Sequence, residues 1–229
     1  MSIPYESRST SAWIFLTRAE ARFIDAAVSR LIPADELGPG AREANVTCFI
    51  DRQLASGWGS ASRTYRMGPW QDGTPQQGNQ SRLTPQEVYR HGIRETNLHC
   101  MKVHGRNFDA LPPEVQDAIL NALQEGNIEL ESMGSKKFFN LLWRNTEEGF
   151  FADPLYGGNR DKIGWKLVGF PGVAAANYVE LIGRHDEPYR VVEPVSILDI
   201  EEGRVQVDAH GSPRHIRINA NTKTSGAGR

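Results

Sequence analysis

The chain has 229 residues, 39% of them hydrophobic, with 26 basic against 28 acidic residues and a net charge of −2. That length suits one large domain or a domain with long extensions, and a chain of this size can bury about 70% of its unfolded surface. The near-neutral balance, without a basic block or aromatic–basic interleaving, gives no reason to expect nucleic acid, and no apolar run approaches the ~18 residues of a membrane helix.

The opening "MSIPYESRSTSAWIFLTRAE" has no charged stretch leading into an apolar one, so no secretory signal is read there. The first helix is signalled by Thr17 and Glu20 at capping-box spacing. Phe23, Ile24, Ala27, Val28, Leu31 and Ile32 then recur at helical spacing, and Pro33 closes the element. "ADELGPG" reads as a turn. A second helix is expected from about Pro39 or Gly40 to Gly57, with Val46, Phe49, Ile50 and Leu54 on one face.

Residues 55–83 show no period. A loop of this length is uncommon in a compact domain, and Trp58, Tyr65 and Trp70 argue that it is ordered by packing, on its own domain or on a partner. The third helix starts with Thr84 as cap, Pro85 in the first position and Glu87 completing the box; Tyr89, Ile93, Thr96, Cys100 and Val103 form its inner stripe. "LPPEVQDAILNALQEGN" gives a fourth helix entered at Pro112 or Pro113 and left before Gly126. A fifth is expected from about Lys136 to Glu148, capped by Ser135, with Phe138, Phe139, Leu142 and Trp143 facing the core and Gly149 in the left-handed closing position.

Further on, "AAANYVELI" suggests one or two helical turns, and "RVQVDAHGSPRHIRIN" alternates like two strands around a turn at His210–Pro213. "ANTKTSGAGR" reads as a frayed end. The expected fold is mainly α: a bundle of about five helices with long ordered loops and an extended C-terminal tail carrying a short β-hairpin. Residues 12–183 form the helical domain, which includes a glycine- and aromatic-rich motif at 150–172. Residues 184–229 form an extension that wraps a partner or is partly disordered.

Tests for chemistry return little. "YGGNRDKIG" lacks the spacing of a dinucleotide loop and follows a helix; Lys166 lies two residues after Gly164, which is not a P-loop. Cys100 and His104 are four apart on a helix, but a metal needs three or four convergent ligands. The scattered histidines His91, His185, His210 and His215 read as solvated or hydrogen-bonded, and no G-x-S-x-G is present. Cys48 and Cys100 read as buried thiols on helix faces. A disulfide is the alternative, and would need an oxidising compartment.

The stretch "GFFADPLYGGNRDKIGWKLVGFPG" sets six glycines among five aromatic residues. Asp153-Pro154 favours a turn start and Gly157-Gly158-Asn159 continues it. Composition leaves two readings equal: an ordered loop capping the end of the bundle, or an aromatic-studded surface that docks into another protein.

The same stretch resembles the signature of the gluconate 2-dehydrogenase subunit 3 family. "LIPADELGPGAREANVTCFIDRQLA" is similar to that family's N-terminal pattern, in which one helix ends in I-P-A-D and the next carries F-I-D; "FDALPPEVQDAILNALQEG" also fits. The resemblance covers roughly residues 16–175. It implies an accessory small subunit without chemistry of its own, supporting the folding and export of a flavoprotein, often through a twin-arginine signal that is missing here. The implied partners are an FAD-dependent, GMC-type dehydrogenase large subunit and a multihaem cytochrome c. FAD and haem c then sit on those partners and no cofactor on this chain. The membrane is met only through the partners. The implied location is periplasmic, against the inner membrane, with the cytoplasm left open by the missing signal.

On this reading Asp153, Pro154, Tyr156, Gly157, Gly158, Asn159, Asp161, Gly164, Trp165, Gly169, Phe170 and Pro171 shape the partner-facing motif, joined by Trp58 and Trp70 from the long loop. The residues also allow a second reading, a stand-alone carbohydrate-binding or hydrolytic protein. Trp165 and Tyr156 would stack on a sugar while Asp153 and Asp161, about 5–10 Å apart, acted as acid and base.

Overall fold

Two capping boxes set the first and third helices. In α1 (Arg18–Leu31) the Thr17 hydroxyl accepts from the Glu20 N–H while the Glu20 carboxylate accepts from the Thr17 N–H, so two otherwise unpaired donors are satisfied. Thr84 and Glu87 do the same for α3 (Pro85–His104), which Gly105 closes in the left-handed conformation. The computed structural model describes residues 13–71, 73–77, 81–173 and 193–205. Among these are seven α-helices and no strand. The five long ones are α1, α2 (Val46–Ala55), α3, α4 (Pro113–Glu125) and α5 (Ser135–Phe151); α6 (Ile163–Val168) and α7 (Ile197–Glu201) are short.

Helix α5 runs through the middle and packs against α1, α2, α3 and α4. Phe23, Phe108, Phe138 and Tyr89 form a linked aromatic cluster at its side, with Phe23 and Phe108 centroids 4.7 Å apart and Tyr89 edge-on to Phe138 at 6.0 Å. Tyr89 is fully buried, yet its hydroxyl donates to Asn145 Oδ1 at 2.9 Å, and burial pushes its phenol well above the ordinary range. Cys48 and Cys100 are both free thiols. Burial lifts Cys100 to about 11, which keeps it protonated and inert.

Several sequence expectations shift, each for a tertiary reason. Helix α2 begins at Val46, not near Gly40. The Ala41 N–H donates back to the Ile32 carbonyl at 2.8 Å, and Asn45 sits in the left-handed region at φ 61, which a continuous right-handed helix cannot contain. Ser135 is the first residue of α5 rather than its cap; Gly134 holds the cap position, and the buried Ser135 hydroxyl has no hydrogen-bond partner among the described residues. Gly149 does not end α5. A Cβ there would lie 2.8 Å from the Phe49 ring, so the glycine lets α2 and α5 approach. Trp143 is 37% and Val103 58% exposed, because the buried stripes of α5 and α3 pass by their neighbours Leu142 and Cys100.

The long loop begins on its own domain: the Gln86 N–H donates to the Gly59 carbonyl and the Gln86 amide to the Leu54 carbonyl. Ahead of α1, the chain is anchored by Asp51 of α2. This carboxylate is 2% exposed and accepts from the N–H groups of Ile14, Phe15 and Leu16 at 2.8–2.9 Å. The expected helical turns of "AAANYVELI", and the expected hairpin and frayed end past Val205, lie outside the described residues.

Hydrogen bonds to a charged group contribute about 1.5–3 kcal/mol each, and three share Asp51. Asp51→Ala is expected to destabilise the chain by about 2–4 kcal/mol, with Asp51→Asn intermediate because one acceptor oxygen survives. Urea midpoints at constant slope would show this; an unchanged midpoint in the alanine variant refutes the anchor.

Candidate functional site

A helix leaves its last four carbonyls without intrahelical donors. At the end of α5 the next residue, Ala152, turns extended (φ −61, ψ 161), so no backbone N–H folds back to close the final turn. The glycine-rich motif supplies side-chain donors at this end. The Trp165 indole N–H donates to the Phe151 carbonyl at 2.7 Å, and the Asn159 amide donates to the Ala152 carbonyl at 2.8 Å. Asn159 is fully buried, in the left-handed region, and its own oxygen accepts from the Gly164 N–H at 2.8 Å.

This return path passes very close to α5. A Cβ on Gly158 would lie 2.2 Å from the Gly149 carbonyl oxygen, and one on Gly164 would lie 2.2 Å from that of Phe150. Only a hydrogen fits in either place. Pro154 opens a short 3-10 turn to Tyr156, with the Asp153 carboxylate accepting from the Leu155 N–H at 3.0 Å. Gly157 and Gly169 take left-handed turns at φ 97 and 70. Bonds from Asn45 to the Gly157 carbonyl and from the Arg160 N–H to the Ala44 carbonyl tie the motif to the start of α2.

The second oxygen of Asp153 accepts from the Ile197 N–H at 2.8 Å, so a segment 44 residues away lies on the motif. The Lys162 side chain, 13% exposed, sits 2.8 Å from Asp199 and 3.0 Å from Glu193. A cavity of about 470 Å³ opens beside it, with Asn45, Cys48, Arg160, Lys162, Glu193 and Asp199 among its walls. Its lining carries both signs of charge. Burial opposes the Asp199 charge, but Lys162 and the Ser196 donors outweigh it and hold the carboxyl below the ordinary range.

The structure therefore divides the predicted residues into two sets. Asp153, Gly158, Asn159, Gly164 and Trp165 face inward and build the cap. Tyr156, Phe170 and Asp161 are exposed. Pro171 uses its carbonyl toward Val195, and Trp58 and Trp70 lie on the α2–α3 loop, 41% exposed and half-buried respectively. Beside the outward set stand Phe151, Leu167 and Val168, 43–60% exposed, which sequence reasoning passed over because their helical spacing looks like ordinary core. Asn45, Lys162 and Asp199 were also missed. The Ser196–Asp199 spacing of a capping box was the one available signal for the last.

The sugar-stacking expectation is corrected. Trp165 is 5% exposed, edge-on to Phe170 at 5.2 Å and covered by Gly172, and both oxygens of Asp153 accept backbone N–H groups. Neither can present the face or the free carboxylate that reading needs. Elsewhere, Ser132, His91 and Glu95 meet, but not as a nucleophilic triad. His91 Nδ1 lies 3.1 Å from the same Ser132 hydroxyl that donates to Glu95, so the histidine does not stand between acid and hydroxyl. Glu95 also accepts from the Ser132 N–H, and the cluster clamps the α4–α5 loop onto α3. Among the described residues no group of three or more His, Cys, Asp or Glu side chains could hold a metal ion. No helix there is long and apolar enough to cross a membrane.

Residues 18–172 match the family model described as Gluconate 2-dehydrogenase subunit 3. No curated protein and no solved structure matches the chain at a significant level. The match ends at Gly172, so it contains the whole cap and leaves residues 193–205 beyond it.

Two outcomes follow from the cap. Gly158→Ala and Gly164→Ala are each expected to destabilise by about 2–4 kcal/mol, whereas Gly134→Ala, where no atom lies within 4 Å and φ is negative, stays near wild type. Thermal melts of the three variants decide it. For Asp199, the folded carboxyl titrates below its unfolded value. The stabilisation is therefore complete above the ordinary carboxylate range near 3.8 and is lost as pH falls through the lower folded value. Asp199→Asn should flatten that acid-side loss at residues 193–205, read by hydrogen exchange.

Proposed function

This chain belongs to the gluconate 2-dehydrogenase subunit 3 family, and from that premise we propose that it is a non-catalytic accessory subunit that supports a flavoprotein dehydrogenase in folding, export and stability. The observation that carries the reading is the division of the family motif. Asp153, Gly158, Asn159 and Gly164 are occupied inside the chain, and five of the motif's aromatic and aliphatic side chains are exposed. Tyr156, Phe151, Leu167, Val168 and Phe170 are each 42–60% exposed within 20 residues of sequence. Exposed apolar area concentrated in this way is characteristic of protein interfaces, and aromatic anchors dominate their energetics.

In this proposal the large partner is an FAD-dependent dehydrogenase of GMC type acting on a sugar or sugar acid, and a multihaem cytochrome c carries the electrons onward. Flavin and haem belong to those partners. This chain supplies a rigid surface, since a cap locked to the end of α5 loses little conformational entropy on docking. The complex would lie in the periplasm against the inner membrane, with this subunit touching the membrane only through its partners.

The test is co-expression with a GMC-type flavoprotein dehydrogenase subunit from the same genome, followed by affinity capture through a tag on this chain. Flavin-containing protein is expected in the captured fraction at a fixed ratio. Phe170→Asp together with Leu167→Asp should cut the captured flavin at least tenfold while leaving the helical circular dichroism signal unchanged. A flavoprotein that folds, is exported and turns over equally well without this chain would overturn the proposal.

A further inference from the structure

The edge of the motif at residues 171–173 holds a piece of chain that comes from outside the family-matched region. Val195 donates its N–H to the Pro171 carbonyl at 3.1 Å and accepts from the Val173 N–H at 2.7 Å, forming a one-residue parallel bridge. Gly172, between them at φ 76, is pressed so close that a Cβ would lie 2.0 Å from the Val195 carbonyl oxygen. Two residues on, the Ile197 N–H reaches the Asp153 carboxylate. The carboxylates of Glu193 and Asp199, two residues before and four after Val195, converge on the ammonium of Lys162.

These contacts are the elements of strand addition: main-chain bonds supply the hold, and flanking side chains fix the register. We propose that Asp153, Lys162 and residues 171–173 form a seat for an acid-flanked peptide that is extended at a central valine and turns into a helix just after it, and that the chain's own "EPVSILD", residues 193–199, fills it in cis. Every receptor group except the Val173 N–H lies within the family-matched residues 18–172, and the occupant lies beyond them. The hold is mostly polar. Within the strap only Pro194, Val195, Ser196 and Asp199 are buried, so it opens at lower free energy than the aromatic core of the bundle. A second polypeptide offering a valine in an extended stretch, with one carboxylate before it and one in the helical turn after it, takes the same seat when the strap leaves. The inference rests on these contacts and not on the dehydrogenase reading.

The experiment uses the full chain and a fluorescent peptide of residues 193–204, followed by anisotropy. Val195→Lys empties the seat, and that variant is expected to bind the peptide at least tenfold more tightly than the wild-type chain, whose seat is filled. Adding Lys162→Met should weaken the peptide at least tenfold, as should replacing its Glu193 and Asp199 carboxylates by amides. A folded Val195→Lys chain that binds no peptide, or binds it regardless of Lys162, overturns the proposal. Should that variant fail to fold, hydrogen exchange on the unaltered chain decides. The Val173, Val195 and Ile197 amides are expected to exchange together and faster than those of Leu142 and Thr146 in α5, and equal protection refutes a separable strap. None of these readouts involves a flavoprotein, so failure here and failure of the proposed subunit role are told apart.

Discussion

The open end of α5 is the constraint around which the rest of the motif is arranged. A helix packed against four others cannot leave the carbonyls at its covered end unpaired away from water. With Ala152 extended, no backbone N–H reaches back, and the donors must come from farther along the chain. Trp165 provides one to the Phe151 carbonyl and Asn159 one to the adjoining Ala152 carbonyl. Getting those two side chains into position forces the loop across the last turn of α5 at a distance only glycine tolerates, which accounts for Gly158 and Gly164. The unusual composition of the motif thus has a mechanical origin: it is a helix cap built from 20 residues instead of one.

A second device recurs in three places. A carboxylate on one element collects backbone N–H groups from a segment remote in sequence. Asp51 of α2 gathers Ile14, Phe15 and Leu16; Glu95 of α3 gathers Ser132; Asp153 after α5 gathers Ile197. Each fastens an irregular segment to a helix with hydrogen bonds that gain strength from the charge. Irregular segments have no ladder of their own, so such anchors determine where they lie. The Glu95 carboxyl is disfavoured by burial yet held below its ordinary range by Ser132 and Arg94, which keeps the anchor ionised at neutral pH.

The same economy links the cap to the subunit role. Polar groups that satisfy α5 are no longer available to a ligand, and the apolar groups left over face outward. A surface of that kind recognises shape and apolar area, which suits a supporting subunit better than a reaction site. The strap at residues 193–205 takes the edge of the motif at residues 171–173, where charge and backbone groups serve it. On the proposed readings one motif offers two surfaces of different chemistry, one apolar, the other polar and exchangeable.

What the sequence determined by itself is what neighbours along the chain decide: the capping boxes at Thr17 and Thr84, the apolar stripes of the five long helices, the end of α4 before Gly126 and, through the resemblance of the motif, the family. These signals act over three or four residues, within reach of one helical turn. The tertiary structure alone decided the left-handed start of α2 at Asn45, the role of Gly149 in packing rather than in ending α5, the burial of Trp165 and the exposure of Trp143. It also decided which carboxylate holds which loop. Apart from the exposure of Trp143, each of these involves atoms 14 to more than 100 residues away, and no local pattern records which remote segment will arrive.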